Sequence, residues 1–416
     1  GDPAAGSNVA HTVTAGDLAK GMLPVFSGYH TAATPMINFG QDSSFAGNET
    51  AQGNKDGNGK GDFYYSPPSG YLSLSTFSLP DPVATVDPNK GGSPQDHFNT
   101  VLYTGNAGTQ NITGVGFQPD WVWLKPRSYA DNHVLFDSVR GVNQTLYANT
   151  SGAEADRTGN DSLTAFGSDG FSIGDWNNIN TNNGTLVSWN WKAGTAFSND
   201  ASSTGVGSID SAGSVNTDVG FSIINLTGTG NVQTIAHGLS KAPELIIEKS
   251  RDKADNWVTF VAPIGNDGGL VLEGANAKID ASSYWNNTSP TSTVWTMGDQ
   301  NAVNNSGQET IAYLFHSVDG YSKIGSYIGN GNANGPFVYT GFRPAWVMIK
   351  RTDSASSWSI HDTARDTFNV TQKNLYANLT AAEEVQATWQ WDILSNGFKL
   401  IGTSGEINAS GGTYIY

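Results

Sequence analysis

Two acid–base pairs are the first residues in this sequence whose types and spacing could do chemistry. Asp137 precedes Arg140 by three positions, and Asp362 precedes Arg365 by the same interval. A carboxylate beside a guanidinium can take part in catalysis or can close a loop as an ion pair. A third, related segment has Val and Ile at these two positions, so both members are lost together. We therefore interpret the pairs as structural contacts of modest strength at the surface.

The chain offers little else for catalysis or metal binding. It has no cysteine, which excludes disulfides, thiolate nucleophiles and cysteine-ligated zinc. The segment DGNGKGD (56–62) begins like a calcium loop, but Lys60 stands where an oxygen ligand is needed. The seven histidines have no metal-ligand spacing, and no nucleophile elbow or P-loop occurs. We predict a protein that is not an enzyme and has no cofactor; a structural Ca²⁺ held by acidic loops stays open, without a motif to support it.

Two tryptophans are the candidate ligand-binding residues. Trp176 lies in the motif DWNN (175–178) and Trp285 in YWNN (284–287). A flat indole ring can cover the apolar face of a pyranose while Asn and Asp side chains bind its hydroxyls. By sequence the two tryptophans occupy different positions in their repeats, whereas a residue that the scaffold needs would be expected to recur at the same position. The sequence therefore predicts that Trp176 and Trp285 contact a saccharide; the alternative is that each folds back on its own domain.

These residues lie within a unit of about 100 residues that occurs three times, longer than solenoid or propeller-blade repeats. GFQPDWVWLK (116–125) recurs as GFRPAWVMIK (341–350), and a more diverged copy surrounds APELIIEK (242–249). Each copy is therefore expected to form a domain with its own core. The Pro of each decapeptide should end a turn, and the following Trp should begin a buried central strand.

The pattern within each copy indicates β structure. Short runs of Val, Ile, Tyr, Phe and Trp are bounded by Gly, Asn, Asp and Ser, which is typical of a sandwich or barrel. Only TAAEEVQATWQW (380–391) suggests a helix, and it is short. The sequence therefore predicts an all-β protein.

Charge and hydropathy exclude two kinds of partner. The chain carries 37 acidic and 21 basic residues, for a net charge of -16, spread without blocks of like charge. A nucleic-acid-binding protein needs a basic footprint, so we predict no nucleic-acid partner. No apolar stretch reaches the length of about 20 residues that spans a bilayer, so we predict no membrane span. The start GDPAAGSNVA has neither Met nor a signal peptide, and we expect a fragment or processed product.

The order of the sequence blocks resembles a known group of proteins. GFQPDWVWLKPRS (116–128), HVLFDSVRG (133–141) and GPFVYTGFRPAWVMIKRTD (335–353) resemble the repeat domains of large virion structural proteins of marine tailed phages, notably those of cyanobacteria. Segments 23–47 and 61–74 resemble the end of a SPRY domain, a concanavalin-like β-sandwich whose earlier strands are missing here. The resemblance implies a tail fibre, adhesin or virion surface protein that binds host glycans, and it implies no site residue.

Residue patterns and resemblance together predict tandem β-sandwich domains of the jelly-roll or concanavalin-like type. The predicted organisation is a C-terminal part of a SPRY-like sandwich (1–65), a Pro-rich connector (66–95), repeat 1 (96–193), a Gly/Ser linker (194–217), repeat 2 (218–318) and repeat 3 (319–416), whose last strand is expected to be cut short.

The function predicted on this basis is that of a non-enzymatic virion structural protein on the extracellular virion surface. The resemblance implies other virion proteins and a host-surface glycan as partners, and fibre proteins are usually homo-oligomers, most often trimers. Two alternatives stay open. One is a bacterial extracellular adhesin or filament subunit, and the other is a polysaccharide-degrading tailspike.

Overall fold

The computed structural model describes residues 38–73 and 82–416, which belong to two compact units, Gly1–Asp81 and Pro82–Tyr416. The described part of the first unit consists of turns with one antiparallel bridge, Asn54 to Phe63. The calcium-like loop is a turn around Asp56, whose carboxylate accepts three backbone N–H groups, which lower its pKa to about 2. The predicted SPRY-like strands before residue 38 lie outside the described residues.

The first repeat forms a large antiparallel sheet and a small one. Its elements are β1 (Phe98–Thr104), β2 (Gln110–Thr113), β3 (Trp121–Pro126), β4 (Val134–Asp137), β5 (Gln144–Tyr147), β6 (Ala155–Asp156), β7 (Leu163–Gly167), β8 (Gly170–Ile173), α1 (Asn177–Asn180) and β9 (Thr185–Trp191). The large sheet has the order β1-β9-β3-β4-β5-β6 and the small one β2-β8-β7. The Trp-initiated strand β3 is central and buried along its whole length, as the decapeptide predicts.

The second repeat extends this plan at one edge. Its elements are β10 (Thr195–Asn199), α2 (Ala201–Thr204), β11 (Ser211–Asn216), β12 (Phe221–Thr227), β13 (Gln233–Ala236), β14 (Leu245–Ser250), β15 (Val258–Val261), β16 (Gly268–Val271), β17 (Ile279–Asp280), β18 (Val294–Met297) and β19 (Glu309–Phe315). The large sheet has the order β10-β11-β12-β19-β14-β15-β16-β17, and β13 pairs with β18.

The prediction of a linker over 194–217 is wrong, because β10 and β11 are edge strands of this sheet. Val215 is buried and Phe197 packs on the core of the second repeat. These apolar residues are diluted among Gly and Ser, so composition concealed two strands. The predicted connector over 66–95 is partly wrong as well: residues 74–81 lie outside the described residues, but Val86 is buried in a core.

The third repeat returns to the plan of the first. Its elements are β20 (Ser326–Ile328), β21 (Phe337–Tyr339), β22 (Trp346–Arg351), β23 (Trp358–Asp362), β24 (Lys373–Tyr376), β25 (Glu384–Val385), β26 (Trp391–Leu394), β27 (Gly397–Leu400), α3 (Gly405–Asn408) and β28 (Thr413–Ile415). The sheets are β20-β28-β22-β23-β24-β25 and β21-β27-β26. The helix predicted over 380–391 is wrong, since this segment contains β25, a turn and the start of β26; pairing with neighbouring strands overrides the helix propensity.

The central strand of each large sheet is buried on both faces. Side chains alternate along a strand, and in β3 Val122 and Leu124 face a core between the two sheets of the first repeat. Trp121 and Trp123 point the other way, into a core that also contains residues of the second and third repeats. The molecule therefore has one private core per repeat and one core shared by all three. The shared core explains why four consecutive positions of the decapeptide are apolar.

Polar contacts join the repeats in a closed cycle. A tryptophan N–H crosses each junction: Trp257 Nε1 donates to Tyr147 O at 2.9 Å, Trp189 Nε1 to Asp362 Oδ2 at 3.0 Å, and Trp358 Nε1 to Val271 O at 3.0 Å. The second repeat thus reaches the first, the first reaches the third, and the third reaches the second. The three repeats form one body.

Candidate functional site

A buried asparagine holds the same loop in each repeat. Asn180, Asn304 and Asn408 are fully buried. Each side-chain oxygen accepts a backbone N–H from the loop that follows β1, β12 or β20, at 2.8, 2.9 and 2.8 Å respectively. Each side-chain nitrogen donates to backbone carbonyls of the same region. The sequence patterns did not identify these asparagines as important residues. A usable signal exists, since each stands three or four residues before the Gly that leads into the last strand of its repeat.

The repeats differ four residues before this asparagine. The backbone N–H of the asparagine bonds to the carbonyl of Trp176 in the first repeat, of Gln300 in the second and of Ser404 in the third. Backbone geometry at this place is therefore the same with three unrelated side chains. The scaffold does not require an aromatic residue at position 176.

Trp176 is partly exposed, and its buried part packs against the private core of the first repeat. The Arg157 guanidinium carbon lies 5.0 Å from the centre of the indole ring, a cation–π distance. Arg157 Nη2 donates to Tyr147 Oη at 2.9 Å, and the Tyr147 ring centre is 6.4 Å from that of Trp176. These contacts hold the indole in one orientation. A ring held in this way loses little conformational entropy when it binds a ligand.

Trp176 is one wall of an open groove of about 620 Å³. The remaining lining is mostly polar and comes from Asp175, from the first turn of α1 and from two facing segments. The groove residues are Ala107, Gly159, Asp175, Trp176, Asn177 and Asn178. Asn178 Nδ2 donates to Asp131 at 3.0 Å, which fixes one of the amides. Such an arrangement can receive a small polar ligand with one apolar face.

Trp285 is a core residue of the second repeat. It is 1% exposed, its Nε1 donates to Gly268 O at 3.0 Å, and its ring lies 5.6 Å from that of Phe260 in the core of the second repeat. The prediction for Trp285 is wrong because the residue has counterparts in register, the buried Leu163 and Trp391. Each of the three follows a residue whose carbonyl accepts an N–H from a glycine, Gly298 in the second repeat and its equivalents in the others. Divergence of the second repeat hid this equivalence.

The Asp137 and Arg140 pair is structural, but it is buried and not at the surface. Asp137 also accepts a hydrogen bond from Tyr313 of the second repeat at 2.7 Å, and Arg140 contacts Glu154 at 2.9 Å. Glu154 in turn pairs with Arg251 of the second repeat at 2.7 Å. Burial acts to lower the pKa of Arg140, but the surrounding Asp137, Tyr313 and Glu154 outweigh it and raise that pKa. The pair anchors the junction between two repeats.

Asp362 and Arg365 repeat this arrangement at the junction between the first and third repeats. Both side chains are buried, and Arg365 contacts Glu383 at 3.2 Å. Glu383 receives the guanidinium of Arg127 from the first repeat in a bidentate contact at 2.9 Å. Trp189 of the first repeat donates to Asp362.

Buried titratable groups elsewhere have displaced pKa values without forming a reactive site. Burial raises the pKa of Glu248 to about 8, and it lowers the pKa values of Lys125, Lys249 and Lys350 to about 8. Each lysine donates to the carbonyl of the residue that follows it, and Glu248 accepts the Trp295 N–H. In residues 38–73 and 82–416, no group of three or more His, Asp or Glu is placed to hold a metal ion. The same residues include no helix long and apolar enough to cross a membrane.

A comparison with protein families matches residues 93–416 to a profile described as a domain of unknown function, DUF7483. The chain belongs to this family. The match covers all three repeats as a single domain, in agreement with the core that they share. No curated protein matches the chain. The Trp176 groove therefore has to be interpreted from its own chemistry.

Proposed function

We propose that this chain is a non-enzymatic structural protein of a phage virion, a tail fibre or adhesin, whose first repeat binds a host-surface glycan. The observation that carries the proposal is Trp176. It is a partly exposed aromatic residue in a polar groove, at a position where Gln300 and Ser404 serve the scaffold equally well. A side chain that the fold does not need is a candidate for recognition.

The chemistry of the groove suits a saccharide. The exposed part of the Trp176 indole can stack on the C–H face of a pyranose, because that face of the sugar is apolar. Asp175, Asn177 and Asn178 line the same groove and provide carboxylate and amide groups for hydroxyls. The groove is open to solvent, so a saccharide can lie along it.

The location on a virion rests on the sequence resemblance to phage structural proteins and on the kind of body that the repeats form. Three sandwiches around a shared core make one body. A β body of this kind suits a particle surface, where a protein has to present a binding loop outside the cell. Other virion proteins and the host glycan are the partners of the proposal.

A titration with host polysaccharide tests the recognition part. The full chain is titrated calorimetrically with surface polysaccharide purified from host cells, beside the variants W176Q and Q300A. W176Q introduces the residue of the second repeat at the same place, so the loop should keep its structure. We expect binding by the wild type and by Q300A, and affinity weakened at least about tenfold in W176Q.

Equal affinity of W176Q and the wild type would refute the assignment of the groove. The same samples are then assayed for reducing ends. Their release during incubation would refute the non-enzymatic assignment and favour the tailspike alternative, since a binding protein leaves the polysaccharide intact.

A further inference from the structure

The outer face of the small sheet differs among the repeats at its first strand. In β21 of the third repeat, Phe337 is 44% and Tyr339 is 45% exposed, while Val338 between them is buried. Alternation along the strand places both aromatic rings on the face opposite the core. Two large apolar side chains on one short edge strand are unusual for a protein surface without a partner.

The first repeat is polar at the same positions. Ile112 in β2 pairs with Phe171 as Val338 pairs with Phe398, so Asn111 and Thr113 correspond to Phe337 and Tyr339. Asn111 and Thr113 are exposed. The scaffold therefore accepts polar residues here, and the aromatic pair of the third repeat is not required for folding of the sheet.

The second repeat covers this edge with its own chain. Ile209 forms a parallel bridge with Ile235 of β13, the counterpart of Val338. Ser208 N donates to Thr234 O at 2.7 Å, and Ser211 Oγ donates to Ala236 O at 2.9 Å. Ala236 is consequently only 3% exposed. Segment 208–211 thus shows what kind of chain fits this edge.

The backbone of β21 is oriented to accept the same cover. Leu400 N donates to Pro336 O and Thr340 N donates to Asn396 O, both at 3.0 Å. In this antiparallel register the N–H and C=O of Val338 face β27, so those of Phe337 and Tyr339 face the open edge. The Tyr339 carbonyl accepts a long hydrogen bond of 3.4 Å from the Tyr416 hydroxyl, which an added strand would have to replace.

We propose that β21 is a docking edge for an extended segment of a partner polypeptide, which pairs parallel to it as 208–211 pairs with β13. The segment carries a β-branched aliphatic residue beside Val338, flanked by small polar residues, and packs on Phe337 and Tyr339. A second copy of this chain is not the donor, because its own segment 208–211 already occupies β13. The mode is strand addition, in which backbone hydrogen bonds give affinity and side-chain contacts give specificity.

A peptide of this chain serves as the probe. A fluorescently labelled TGVGSIDSA peptide (204–212) is titrated with the full chain, and binding is followed by fluorescence anisotropy. The double variant F337N/Y339T carries the residues of the first repeat and should fold normally. We expect saturable binding to the wild type and at least about tenfold weaker binding to F337N/Y339T.

The converse variant and a control peptide sharpen the test. N111F/T113Y installs the aromatic pair on β2 and should add a second binding site, and an I209D peptide should not bind. The proposal is overturned if the peptide does not bind the wild type, or if it binds F337N/Y339T equally well. It is also overturned if F337N/Y339T instead abolishes concentration-dependent self-association, which would make the edge an interface between copies.

Discussion

The second repeat and its two neighbours bury acidic side chains in different places. The first and third repeats bury an Asp–Arg pair at the junction with the next repeat, Asp137–Arg140 and Asp362–Arg365. The second repeat has Val261 and Ile264 at these positions. It instead carries Glu248 in its own core, where its neighbours have Leu124 and Ile349.

The closed cycle of three repeats therefore does not need a buried Asp–Arg pair at every junction. Two junctions with a buried Asp–Arg pair and one without such a pair occur in one molecule, on equivalent strands. Replacing a buried ion pair by apolar residues of similar size is often tolerated, whereas removing one partner leaves a buried charge unpaired. The stability of the three-repeat body should therefore depend mainly on whether each buried charge has its partner, and less on whether a junction contains buried charges at all.

The largest effect is expected from removing one member of a junction pair. D137A leaves the buried Arg140 without its main partner and the Tyr313 hydroxyl without an acceptor. We expect the free energy of unfolding to fall by about 3–5 kcal/mol in denaturant titrations. The triple variant D137V/R140I/Y313F copies the apolar junction and should lose less than half as much. A triple variant as unstable as D137A would show that the charge itself is needed.

A smaller effect, of opposite sign, is expected for the buried glutamate of the second repeat. The raised pKa of Glu248 means that the folded state holds a proton which the unfolded state releases above about pH 4.5. Stability is lost as pH rises from about 4.5 towards 8. E248Q removes this loss and keeps an acceptor for Trp295. We expect it to match the wild type at pH 5 and to exceed it by about 2–4 kcal/mol at pH 8, since one pH unit corresponds to about 1.4 kcal/mol.

The measurement for E248Q is thermal and denaturant unfolding of both proteins between pH 5 and 8.5. Titration of the other buried groups is common to both proteins and cancels in the difference. A difference that does not change with pH would mean that Glu248 is ionised in the folded protein.

A third effect concerns the partly exposed ion pairs that flank the junctions. Arg251 contacts Glu154 at 2.7 Å between the second and first repeats, whereas the equivalent place between the third and second repeats has Thr352 opposite Lys278. R251T should cost about 1 kcal/mol, and the loss should shrink at high salt because exposed charges are screened. The T352R variant serves as control and should bring no gain, because it faces a lysine. A salt-independent loss in R251T would indicate packing as its cause.

The smallest effect on stability is expected at the groove. W176Q removes contacts with Arg157, with Tyr147 and with the edge of the first repeat's core, but keeps the backbone bond to Asn180 that Gln300 and Ser404 sustain in the other repeats. We expect a change below about 1 kcal/mol in thermal unfolding. A loss above about 3 kcal/mol would mark Trp176 as a core residue and weaken the comparison on which its role rests.

Local patterns predicted the central strands and the all-β class, because alternation and turn residues act over a few positions. The apolar run at Trp121–Leu124 correctly indicated burial on both sides. The sequence could not indicate that the other two repeats cover the second face of this strand. Contacts between repeats join residues more than 100 positions apart, such as Trp189 and Asp362.

The tryptophans show the limit for the candidate site. DWNN and YWNN look alike, yet Trp176 borders a groove and Trp285 fills a core. The difference lies in the position of each tryptophan within its repeat. The first and third repeats are similar enough for their positions to be aligned by sequence, but the second repeat has diverged too far. The prediction of a linker over 194–217 was wrong for a related reason. The few apolar residues of this segment pack against strands far along the chain.

Immunogold electron microscopy tests the central claim most directly. An antibody raised against residues 96–416 is applied to purified phage particles and to host cells with and without infection. The account predicts label at the distal ends of tail fibres and none on uninfected cells. Label over the capsid, or along filaments of uninfected cells, would contradict a receptor-binding fibre and identify the repeats as a coat or filament protein.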